Sequence, residues 1–123
     1  MRKQKVMELT NELLFITDKI INQFEVTKTE GRESDFYTEV VPFSNKAQRI
    51  VDEWITIILP WIHEKGFTNL NSNQVHSTKD QLEKTMVQAF FPQTSRKHFT
   101  DSIHAIQFVL KAILIEAEKQ NNE

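Results

Sequence analysis

The sequence predicts an all-α protein, an antiparallel up-and-down four-helix bundle. Three observations predict it: four stretches repeat apolar residues at helical spacing, glycine and proline are scarce, and the links between stretches are short. The clearest stretch is Phe99, Ile103, Ile106, Leu110, Ile113, Ala117, in alternating steps of four and three. Side chains so spaced fall on one side of a helix that turns about 100° per residue. Strict alternation of apolar and polar residues, the mark of a half-buried strand, appears nowhere over more than a few positions. Two glycines and three prolines cannot supply the many tight turns of an all-β fold. Residues 1–123 read as one domain, long enough to bury a core without metal or disulfide staples.

The first helix is expected over Lys3 to Lys28, with Val6, Leu9, Leu13, Ile16, Ile20 and Phe24 on its seam. Polar residues Thr27 to Ser34, with Gly31 among them, predict the first turn. Ser34 or Asp35 can cap the next helix, because their side-chain oxygens accept the orphan N–H groups of a first turn. The second helix is expected over Asp35 to Lys65, stopped by Gly66. Its seam reads Phe36, Val40, Phe43, Ala47, Ile50, Trp54, Ile57, Trp61. Pro42 either breaks this helix, with Ser44 capping a fresh start, or leaves it whole with a kink at Pro60.

The third helix, Asn71 to Phe91, carries Val75, Leu82, Met86, Ala89 and Phe90, with no apolar residue between Val75 and Leu82. Ser77-Thr78-Lys79-Asp80 resembles a capping box, so the helix starts at either Asn71 or Ser77. Pro92 ends it. The fourth helix runs from a Ser95 cap to Lys119, and the polar tail Gln120 to Glu123 is expected to fray. Three short links place consecutive helices antiparallel. The core then includes Leu13, Ile16, Ile20, Ile50, Trp54, Leu82, Met86, Phe99, Ile103, Ile106 and Leu110.

Composition excludes several classes of function. There is no cysteine, which removes disulfides, thiolate metal sites and cysteine nucleophiles and fits a reducing cytosol. The basic start Met1-Arg2-Lys3-Gln4-Lys5 leads into Glu8 and Glu12, so no apolar signal segment follows. The longest largely apolar run, Trp54 to Ile62, is far shorter than the ~20 residues a bilayer crossing takes. A cytoplasmic protein is expected. Net charge is −2, from 15 basic and 17 acidic residues spread along the chain, which implies neither nucleic acid nor an anionic membrane.

No chemical motif stands out. A di-iron bundle needs paired Glu-x-x-His motifs, and no glutamate stands three residues before any histidine. Asp101 and His104 come nearest, as a pair on the side away from the Phe99–Ala117 seam. His63 shares the polar face of its helix with Asp52 and Thr56, and the basic trio Arg96, Lys97, His98 reads as a solvated helix start. The G-x-S-x-G elbow and the phosphate-binding glycine loops are absent. No catalytic residue, metal or cofactor is expected.

Two helices carry more apolar surface than one seam needs. From Ile50 to Ile62 the apolar arc spans about 200°, against the ~100° stripe of an ordinary core-facing helix. Its surplus, Ile55, Leu59 and Ile62, is absorbed if Pro60 rotates the second half and neighbouring helices cover the flanks. On the fourth helix a second row, Ala105, Phe108, Ala112, Ile115, lies opposite the main seam. Such a row marks a surface for a partner protein or for self-association.

The full length, the stretch Trp54-Ile-Thr-Ile-Ile-Leu-Pro-Trp61-Ile-His and the stretch Phe90-Phe-Pro-Gln-Thr-Ser-Arg-Lys-His-Phe99 resemble the YppE-like family, small uncharacterised proteins of low-GC Gram-positive bacteria. The resemblance implies a cytoplasmic four-helix bundle and transfers no catalytic or binding residue. Together these readings favour a non-enzymatic protein-interaction module. The alternative is an enzyme or small-ligand-binding bundle whose site follows no sequence pattern.

Overall fold

Each helix forms where an apolar stripe coincides with a usable start and stop. The computed structural model describes residues 2–32 and 34–120, so the end of the tail expected to fray, residues 121–123, lies outside them. Four helices are present: α1 (Arg2–Glu30), α2 (Val41–Lys65), α3 (Ser72–Gln88) and α4 (Arg96–Lys119). No strand occurs among the described residues. α1 packs beside α2 and α4, α3 packs beside the same two, and α1 and α3 meet only across the diagonal. The neighbours are antiparallel. Lys3 Nζ donates to the Gln120 carbonyl at 2.7 Å at one end of the α1/α4 pair. At the other end the Phe24 and Phe99 rings stack with centroids 4.0 Å apart.

α1 runs to Glu30, two residues past the expected Lys28 and into the stretch Thr27 to Ser34 read as a turn. Thr27 is buried and its hydroxyl accepts from Gln23 Nε2 at 3.0 Å, so a polar residue serves as the last core position of the helix. The chain turns at Gly31, whose φ of 66° is left-handed and suits a residue without Cβ. Asp35 is the next cap. Its carboxylate accepts from the Thr38 N–H at 2.9 Å, and this bond holds its pKa below the ordinary aspartate value.

Between this cap and α2 the chain makes one π turn, Phe36–Val40, closed by the Val41 N–H donating to the Phe36 carbonyl. Pro42 falls in the first turn of α2, directly after Val41, whose N–H closes the π turn. The helix therefore changes winding there instead of restarting. Ser44 is no cap: it lies inside α2, and its hydroxyl is buried without a hydrogen-bond partner. Pro60 is accommodated inside a helix that continues to Lys65, and Gly66 stops it with a left-handed φ of 62°.

The π turn corrects the predicted seam of α2. A π turn holds one residue more than an α turn, which leaves Phe36 at its start off the stripe, while Val40, Ala47, Trp54 and Trp61 are buried as predicted. Phe36 is exposed, and the buried positions are Ala47, Val51, Trp54, Ile58, Trp61 and Ile62. Ile50, expected in the core, and Ile57, expected on the seam, are partly buried and pack on its flank. Ile55 and Leu59 do the same, so the surplus of α2 is absorbed within the bundle. Every other residue of the expected core is buried.

α3 starts at Asn71, not Ser77. Asn71 Oδ1 accepts from the Gln74 N–H at 3.0 Å, and Gln74 Oε1 accepts from the Asn71 N–H at 2.9 Å, a full capping box. The gap between Val75 and Leu82 is filled by Thr78, which is buried with its hydroxyl donating to the Gln74 carbonyl at 2.8 Å. α3 ends at Gln88, short of the expected Phe91, because Pro92 disfavours helical backbone before it. Phe90 and Phe91 instead close tighter turns onto Val87 and Gln88. Ser95 caps α4 as expected, accepting from the His98 N–H at 3.3 Å.

Leu13 and Ile106 are fully buried. Leu13→Ala or Ile106→Ala is therefore expected to cost about 2–5 kcal/mol in chemical denaturation through the cavity left behind. A loss below about 1 kcal/mol at both would remove them from the core. α3, the shortest helix, depends on threonines as well as apolar anchors, so its first turns should open most readily. Hydrogen exchange should show Asn71 to Lys79 losing protection before Ile103 to Leu110, and equally slow exchange would contradict this ordering.

Candidate functional site

The polar residues are spent on holding helices together. Arg96 makes a two-pronged contact with Glu25, at 2.8 and 3.1 Å, and its guanidinium lies 5.2 Å from the Phe24 ring centroid. Lys97 pairs with Asp101 at 3.0 Å. Two of the three cations at the start of α4 thus already have carboxylate partners, and Asp101 turns to Lys97 within its own helix. All four histidines, His63, His76, His98 and His104, are exposed on separate parts of the surface. Among the described residues no group of histidine, aspartate or glutamate is arranged to hold a metal ion. No helix among them is long and apolar enough to cross a membrane.

Arg2 joins α1 to the end of α2 through Glu64 at 2.6 Å, and Lys5 reaches Glu53 at 3.3 Å. The Arg96 contact holds the Glu25 carboxyl below its ordinary range, and Arg2 does the same for Glu64. These pairs are solvent-exposed straps, modest in energy and screened by salt.

The row predicted on α4 divides in the structure. Phe108 is 71% exposed and Ile115 57% exposed, two helical turns apart on the same outward side. Ala105 and Ala112 are half-buried on its flank, and Ala112 packs against the core. The row thus offers two large apolar side chains with a small-residue margin beside them. What this row can do chemically is exclude water against another apolar surface.

A second apolar feature was not anticipated from the periodicity. Phe15 of α1 is 61% exposed and stands at the edge of a recess of about 190 Å³ between α1 and α2. Ile16, Ala47 and Ile50 line it, with Phe43 at one end. The available signal was the run Leu13-Leu14-Phe15-Ile16, which is wider than one seam requires.

An all-α, antiparallel four-helix bundle with apolar surface positions on α1 and α4 defines the class. The chain belongs to a family described as a bacterial domain of unknown function, DUF1798, whose model matches residues 10–117. It is similar to the uncharacterized protein YppE of Bacillus subtilis, at 18% identity over 122 residues and 99% of each chain. The crystal structure of YppE superposes with a TM-score of 0.89, covering 97% of both chains. A Listeria innocua protein of unknown function matches with a TM-score of 0.91 at 23% identity, covering 96% of this chain and 94% of that one. A Staphylococcus aureus DUF1798 domain matches at 0.85 and 25% identity, covering 93% of this chain and 96% of that one.

The lowered carboxyls of Glu25 and Glu64 give stability that is present above the ordinary glutamate pKa of 4.5 and lost as pH falls through their lowered values. Thermal unfolding followed on acidification below about pH 4.5 should therefore fall less steeply in Glu25→Gln/Glu64→Gln than in the native protein. Equal acid dependence in both would show that these straps contribute nothing.

Proposed function

We propose that this chain is a cytoplasmic, single-domain interaction module with no catalytic activity, and that it binds a partner protein along the outer row of α4. The observation that carries this reading is the pair Phe108 and Ile115, left open on a helix whose other face is fully buried. Two apolar anchors seven residues apart suit a helix or groove of another protein, which would read them as an i, i+7 pair. Half-buried Ala105 and Ala112 keep that flank low, so a partner backbone can approach closely.

Site-specific photocrosslinking in the native cell tests it. A photoreactive residue at 108 or 115 should give a crosslinked species that the same residue at exposed Gln4 does not. Phe108→Glu in the 115-labelled protein should abolish that species with helix content unchanged, since an unpaired charge is poorly tolerated in a buried interface. No crosslink from either position would end the proposal. A crosslink joining two copies of the chain would make α4 the face of a homodimer.

A further inference from the structure

The recess between α1 and α2 is flanked by charges of both signs that make no direct ion pair among the described residues, although Glu12 acts at longer range on Lys5 of its own helix. Glu12, Phe15, Ile16 and Lys19 form one stripe along α1, and all four line the recess. Lys46 of α2 lines it as well. The Lys19 ammonium is held 4.7 Å from the centroid of the Phe15 ring. Neither Glu12, Lys19 nor Lys46 joins any of the ion pairs made among the described residues. Glu12 and Lys19 cannot satisfy each other within the chain, because seven residues separate their backbones by roughly 10 Å along the helix.

The stripe is therefore negative at one end, aromatic in the middle and positive at the other. Its positive end has two contributors, because α1 and α2 run antiparallel. The Trp54 indole meets Thr10 across this pair, which sets Ile50 near the level of Leu14 and Lys46 one turn further on, near Lys19. A two-fold axis crossing α1 near Phe15 reverses the stripe end for end. Glu12 of one copy then faces Lys19 and Lys46 of the other, twice, with Phe15 of each copy between the two charge contacts. An isologous interface demands this self-complementarity, and few surfaces possess it.

We propose that the α1/α2 face docks a second copy of this chain, with Phe15 as its anchor and Glu12 against Lys19 and Lys46 as its register. The recess supports this occupant over a small molecule. At about 190 Å³ it lies below the ~300–1,000 Å³ of ordinary ligand pockets and suits a side chain entering from a facing surface. A dimer of this kind leaves the outer row of α4 free, so the two surfaces serve different partners.

Sedimentation of the full chain over a concentration series tests the assignment. The native protein should self-associate, more weakly at high salt, and Phe15→Glu should render it monomeric with its helix content retained. Glu12→Lys alone and Lys19→Glu/Lys46→Glu together should each weaken association about ten-fold or more, because like charges then face each other. The triple variant Glu12→Lys/Lys19→Glu/Lys46→Glu restores opposite charges across the axis and should regain association to within a few-fold of native. A purely structural role for these residues would give no such recovery. Phe108→Glu should leave the dimer intact. A native protein that stays monomeric at millimolar concentration, a dimer that survives Phe15→Glu, a triple variant without recovery, or dissociation by Phe108→Glu would each overturn the proposal. The last of these would move the self-association to α4.

Discussion

The arrangement of α1 against α2 depends on one buried polar contact. Trp54 is wholly enclosed, and its indole N–H has to find an acceptor inside the bundle or bear the cost of desolvation. Thr10 Oγ1 supplies the acceptor at 3.1 Å, and Thr10 is itself completely buried. Apolar contacts between two helices tolerate sliding, whereas a hydrogen bond between two enclosed side chains fixes the axial level. With that level set, Lys5 meets Glu53, Arg2 meets Glu64, and Ile50 and Lys46 line one recess with Phe15 and Lys19. The second tryptophan is held differently. Trp61 is also fully buried, but its N–H has no acceptor, and the side chain is kept by packing that includes Phe67 at 4.8 Å. One tryptophan sets the register and the other fills volume.

The seams of α1 and α4 were legible because each helix has one dominant apolar side and a clean start. α2 was not, and its misreading has a specific cause. Its apolar arc is so wide that periodicity alone cannot separate Ile50 and Ile57 from Val51 and Ile58. The stripe also begins one turn late: Phe36 is exposed at the start of the π turn, while Val40, Ala47, Trp54 and Trp61 are buried as the spacing predicts. The buried threonines escaped for another reason. Thr10, Thr17, Thr78 and Thr85 lie on core faces, and three of them return their hydroxyls to a carbonyl one turn back within their own helix. With the donor satisfied locally, each presents a methyl group to the core. A count of apolar letters therefore underestimates α3, which borrows two of these threonines for its inner face.

The same logic separates the candidate surfaces from ordinary exposed hydrophobics. Scattered apolar residues at a surface are normal and carry no message by themselves. Val26 and Val87 are of that kind, small and partly covered. Phe108 and Ile115 differ by being large, open and aligned on one helix, and their spacing was visible in the sequence. Phe15 differs in another way. Its own exposure says little, and what surrounds it says more, because a recess, a glutamate and two lysines share the same strip of surface.

That difference bears on how the two faces can be used. On α4 the exposed Lys111 and Glu118 stand one turn from Phe108 and Ile115, so a partner there meets charge as well as apolar shape. The α1/α2 strip carries direction. Its charge changes sign over two turns, and a surface with direction can select both the identity and the orientation of what meets it. The arrangement arises from backbone facts already fixed by the core. Glu12 and Lys19 are placed by the α1 repeat, Lys46 by the α2 repeat, and their relative level by the contact between Trp54 and Thr10. A displacement of that buried contact by one helical turn would carry Lys46 toward Glu12 and neutralise the strip within a single chain. The interior hydrogen bond is thus the element that keeps opposite charges apart on the outside, where only a second copy in reverse orientation brings them together.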